Sequence, residues 1–203
     1  MVSRSNDHTI ETLRGSITSA GFAAGHQFVI GHWPISPIGR FADIMWHGAD
    51  GSKTLIASAD AAEYITDIYP FDDRIDAEVS VIDTVGGRSE NRLVVESEPL
   101  TLSLTIGRLV VPFPPRPRWI TATIERWASR ALLGVNTHGL SPTGVEEWYR
   151  TASVRRVVGG RASLRGVDLG TVVDLDRPMD VGFSEPPRQP THVRLRVDVR
   201  RPD

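Results

Sequence analysis

The chain has 203 residues, 40% hydrophobic and 24% charged, a composition that excludes whole-chain disorder and suits one domain able to bury roughly 70% of its unfolded surface. With no cysteine it has no disulfide, thiolate nucleophile, cysteine-bound zinc or iron–sulfur cluster. The net charge is only −2, no run approaches the roughly 20 apolar residues of a membrane helix, and the first residues lack the apolar stretch of a secretory signal, so a cytoplasmic protein without membrane contact is expected.

In chain order, alternating and β-branched runs predict strands at 27–33, 41–47, 53–57, 76–82, 92–96, 100–106, 154–158, 162–164, 171–175 and 192–200. The Ala49-Asp-Gly-Ser52 turn predicts a hairpin between the second and third of these. Asp60-Ala-Ala-Glu63 has the form of a capping box and predicts a short helix over 61–68. A proline-rich stretch, 111–118, reads as a rigid loop. It precedes the main predicted helix, 119–133, whose Ile120, Ile124, Trp127, Ala128, Ala131 and Leu132 recur at helical spacing and which Gly134 would end. Arg165-Gly-Val-Asp-Leu-Gly170 predicts a turn between two later strands, and a second proline cluster, 185–190, precedes the last one. The whole predicts a single β-rich domain over 1–203: mainly β, an antiparallel barrel or sandwich with one main amphipathic helix and one short helix.

Charge is uneven along the chain. Residues 43–98 hold 13 acids against 4 bases and 99–203 hold 16 bases against 10 acids. Of the basic residues all but Lys53 are arginine, spread singly through strand-like segments. In 192–200, alternation puts Arg194, Arg196 and Asp198 on one face and Val193, Leu195, Val197 and Val199 on the other, which reads as a solvated face over a core. With no basic motif interleaved with aromatics, no nucleic-acid partner is expected.

Two segments share an unusual pattern. His32-Trp-Pro-Ile-Ser36-Pro37-Ile-Gly39 is followed by Asp43 and Trp46, and His138-Gly-Leu-Ser141-Pro142-Thr-Gly144 by Glu146, Glu147 and Trp148. Each combines a histidine, a Ser-Pro-x-Gly turn, an acid and a tryptophan, which could line one pocket or could equally be two turns leading into core strands. Alternation over 41–47 puts Phe41, Asp43 and Met45 on one face and Ala42, Ile44 and Trp46 on the other. A strand that is apolar on both faces is buried on both, so Asp43 is expected either to pair, with Arg40 as the nearest base, or to have a raised pKa. The six histidines show no HExxH spacing, so no metal is expected, and with neither a P-loop nor a Gly-x-Gly-x-x-Gly signature no cofactor is expected.

Ser36-Pro-Ile-Gly-Arg-Phe-Ala-Asp43 resembles the Ser-Pro-Val-Gly-Pro-Tyr-x-Glu stretch of acetoacetate decarboxylase-like proteins, whose β-rich cone-shaped barrel encloses a small-molecule cavity. The resemblance implies that Asp43 stands where that family has an active-site Glu, with Arg40 in place of a proline and Phe41 of a tyrosine. The family's Schiff-base lysine has no counterpart, since no lysine lies between Tyr64 and Val85 and Lys53 falls in the predicted hairpin.

The resulting expectation is a small, partly apolar ligand bound by His32, Ser36, Arg40, Asp43, Trp46, His138, Ser141 and Trp148, with Asp43, His138 and Glu147 as the candidates for any catalysis. The alternatives are a non-catalytic protein–protein interaction module and a decarboxylase-like acid/base enzyme that lacks the Schiff-base lysine. A homo-oligomer is left open.

Overall fold

Turn chemistry sets the hairpins. Asp50 Oδ1 accepts hydrogen bonds from the Ser52 amide (3.0 Å) and hydroxyl (2.7 Å), closing the turn between β3 (Phe41–His47) and β4 (Lys53–Ala57), both with the predicted bounds. Arg165 and Gly166 both have positive φ (51° and 80°), the two-residue hairpin geometry that matches strand twist, and they join β10 (Glu146–Leu164) to β11 (Val167–Asp168).

The computed structural model describes residues 10–87, 90–112, 138–182 and 185–202. The remaining strands are β1 (Ile10–Phe22), β2 (Gln27–Ile35), β5 (Asp73–Asp76), β6 (Ser80–Asp83), β7 (Arg92–Glu96), β8 (Leu100–Pro112), β9 (His138–Leu140), β12 (Val172–Val173) and β13 (Thr191–Arg200). They form one sheet in the order β5-β4-β3-β2-β1-β13-β10-β8-β7-β6, with β9 and β11 paired to β10 and β12 to β1. The β4–β5 pair is parallel and the others along this path are antiparallel. The sheet curls into a half-barrel, so the fold is mainly β as predicted.

The predicted main helix, 119–133, lies outside the described residues, as does the proline-rich loop beyond Pro112. The short helix, α1 (Ala59–Thr66), begins two residues before the predicted start. Ser58 is its N-cap, the Ala62 amide bonds the Ser58 carbonyl at 2.8 Å, and no side chain caps it, so Asp60 sits inside the first turn rather than at the cap of a capping box. The strand predicted over 76–82 is two strands, β5 and β6, and those predicted at 154–158 and 162–164 are parts of β10. β10 stays continuous because register shifts accommodate it while it passes from pairing with β13 to pairing with β8.

Alternation sends side chains to two apolar clusters. Phe28, Ile30, Ile44 and Ile56 from β2–β4 pack with Leu93, Val95, Leu102, Leu104 and Ile106 from β7 and β8, so the two ends of the curled sheet share one core. On the other face Leu13, Trp33, Phe41, Leu195, Val197 and Val199 pack under α1 and the 179–181 segment. The polar face of β13 is less solvated than its alternation predicts. Asp198 is buried, accepting from Thr12 Oγ1 (2.7 Å) and Arg196 Nε (2.8 Å) and pairing with Arg150. Cross-strand neighbours on β1 and β10 bring these groups over it.

Because Phe28 is fully buried in the shared core, Phe28→Ala should lose about 3–5 kcal/mol in denaturant unfolding. Ile35→Ala, at a 57% exposed site on the same strand, should stay within about 0.5 kcal/mol of the parent.

Candidate functional site

Residues of one parity on β2, β3, β10 and β13 point to the face beneath α1 and residues 179–182 and 185–187. There they enclose a cavity of about 140 Å³, walled mainly by apolar groups such as Val29, Met45, Ile68, Met179, Val193 and Val197. That is close to the roughly 150 Å³ that holds benzene in an engineered apolar cavity. Three carboxyl residues, Asp43, Glu147 and Glu185, enter its wall. No arginine, lysine or histidine lines it among the described residues.

Asp43 pairs across the β2–β3 ladder with Gly31, and the Trp33 indole reaches over that glycine to donate to Asp43 Oδ1 at 2.9 Å. A Cβ at position 31 would stand 2.2 Å from Asp43 Oδ1 and 2.5 Å from Trp33 Nε1, so glycine is what admits this hydrogen bond. Asp43 is 1% exposed. Burial raises its pKa to about 6 against the opposing effect of the indole hydrogen bond. Of the two sequence expectations for Asp43, the raised pKa is the one observed: its partner is Trp33, and Arg40 is exposed.

Glu147 belongs to β10, next to β13, and is likewise 1% exposed. Its Oε2 accepts from Tyr69 Oη at 2.5 Å and Tyr149 Oη at 2.9 Å, and the two phenols lie 3.0 Å apart. Oε1 is buried and has no hydrogen-bond partner among the described residues. Burial raises the Glu147 pKa to about 7, outweighing the two phenol hydrogen bonds, and burial also pushes both tyrosines above their ordinary range. Glu185 is committed elsewhere: its oxygens accept from the Met179 and Asp180 amides (2.6 and 2.9 Å), pinning the segment over the cavity.

The two Ser-Pro-x-Gly segments therefore converge through their acids and not through their turns. Ser36 and Ser141 are turn residues: Ser36 bonds its own turn, and the Ser141 hydroxyl accepts from the Val145 amide at 3.0 Å. Thr143 ties the second turn to the end of α1 by donating to the Ile68 carbonyl at 2.8 Å. His138 and Trp148 lie outside the cavity wall, with His138 Nε2 2.7 Å from Glu146 Oε1, its ring stacked on Trp148 and Arg200 over the indole. Trp46 packs in the opposite core and donates to His26 Nδ1 at 3.0 Å. His32 is half-buried, also away from the cavity, and desolvation lowers its pKa.

Sequence reasoning missed Gly31, Trp33, Tyr69 and Tyr149. The signal for Trp33 and Gly31 was register: once 27–33 and 41–47 are antiparallel neighbours, both fall on the face of Asp43. A second buried polar group was also missed. His192, fully buried on the opposite face of the sheet, has Nδ1 2.9 Å from Thr18 Oγ1 and Nε2 3.9 Å from Asp83, and desolvation lowers its pKa to about 4. No set of three metal-ligating side chains occurs among the described residues, and no helix there is long and apolar enough to cross a membrane. Comparison with protein-family models, curated proteins and solved structures finds no match for this chain.

Both carboxyl pKa values lie above those of the unfolded chain, so the native state holds these protons longer and stability falls as pH rises from about 4 through about 7. Asp43→Asn and Glu147→Gln should each flatten that decline by about 2–3 kcal/mol, read as the difference in unfolding free energy between about pH 4.5 and about pH 8. Variants that keep the parental slope would contradict the assignment.

Proposed function

We propose that this protein binds a small, partly apolar molecule in the cavity beneath α1 and residues 179–182 and 185–187. The observation that carries the reading is that Asp43 and Glu147, distant in sequence and each 1% exposed, enter the wall of the same apolar cavity. Burying carboxyls without a cation beside them destabilises the fold, and such groups concentrate where a site needs them. A few polar groups converging on an apolar concavity are also the usual anatomy of a ligand site.

A second reading, the decarboxylase-like acid/base enzyme, is favoured by Glu147 Oε1, which has no partner among the described residues and belongs to a carboxyl that burial raises to a pKa of about 7. It would proceed without a Schiff base, since Lys53 lies off the cavity wall and donates to the Asp180 carbonyl at 3.2 Å.

Native mass spectrometry of freshly purified protein tests the binding reading. The wild type should carry a small-molecule mass that is released on denaturation, and Val193→Phe, which fills the cavity, should carry none. A wild type that carries no such mass and is not stabilised by any member of a set of small ring compounds would contradict it.

A further inference from the structure

We propose that the ligand of this cavity is a small organic amine bound as its ammonium ion, with an apolar body about the size of a six-membered ring. The inference rests on the binding reading above and supplies the ligand's charge. Asp43, Glu147 and Glu185 line the cavity, and no basic side chain lines it among the described residues. Glu185 has both oxygens committed to backbone amides, and Asp43 Oδ1 and Glu147 Oε2 already accept from Trp33, Tyr69 and Tyr149. Glu147 Oε1 is the exception, a buried acceptor with no donor among the described residues.

A ligand for this wall must supply hydrogen-bond donors and positive charge at one end and apolar surface at the other. An ammonium group does the first, with three donors and a unit charge, while its hydrocarbon body occupies the space beside Val29, Met45 and Val193. A neutral alcohol offers one donor and no charge. A carboxylate would set a third anion beside two buried acids, which a low-dielectric site strongly disfavours. Ligand charge would also offset the burial that raises the pKa values of both acids, so the amine binds their ionised forms.

The test is isothermal titration of the full chain at about pH 8 with three probes of one shape: cyclohexylamine, cyclohexanol and cyclohexanecarboxylate. Cyclohexylamine should bind at least about tenfold more tightly than cyclohexanol, and the carboxylate should not bind. Glu147→Gln should weaken the amine about tenfold or more and leave cyclohexanol unchanged. If that variant does not fold, Asp43→Asn serves, and the wild-type ranking decides by itself. Cyclohexanol or the carboxylate equalling the amine would overturn the ammonium assignment and leave the binding site standing. A wild type that binds none of the three would overturn this inference, and the binding reading falls with it if native mass spectrometry also finds no bound small molecule.

Discussion

The hydrogen bond from the Trp33 indole to Asp43 is the interaction on which the cavity depends. It crosses the β2–β3 ladder on the inner face, requires the missing side chain at Gly31, and fixes a carboxyl where its neighbours are apolar. Without a donor, a carboxyl buried there would lose its hydration with no compensation. With one donor it is held in place but still resists ionisation, which leaves a polar group facing an apolar cavity. Glu147 reaches the same state by a different route, since two phenols, one from β10 and one from the turn after α1, bond one of its oxygens, and the other has no partner among the described residues.

These acids differ from the charged groups on the opposite face of β10 and β13. There Asp198 meets Arg150, Arg196 and Thr12, and Glu146 meets His138 and Arg200, so negative charge is balanced by adjacent positive charge. Alternation along the same strands assigns Tyr149, Val197 and Val199 to the cavity side. One pair of strands thus builds a charge-balanced face and a face whose acids have no cation beside them among the described residues, and the second arrangement is the one that suits a binding site.

The parts of the fold legible in the sequence were those governed by local chemistry. The Asp-Gly turn and the two-sided apolar pattern of 41–47 gave the β3–β4 hairpin and the burial of Asp43. β1 escaped notice because Gly15, Ser16, Ser19, Ala20 and Gly21 have little intrinsic strand preference, and the segment is a strand because β2 and β13 pair with it on both edges. The capping-box reading failed because Ser58, two residues before Asp60, begins α1. At the site, Asp43 and Glu147 could be singled out as acids following similar turns. The histidines, serines and tryptophans beside them were grouped by nearness in sequence, whereas strand alternation sends neighbouring residues to opposite faces. Tyr69 reaches Glu147 from 78 residues away in the chain, a contact that no local pattern announces.

Two carboxyls share a mainly apolar cavity and keep their protons far above the ordinary carboxylate range. A carbon-detected NMR titration of the Asp and Glu side-chain carboxyls measures this directly. Midpoints of about 6 for Asp43 and about 7 for Glu147 are expected, whereas midpoints near about 4 for both, the value of solvated carboxylates, would contradict the account.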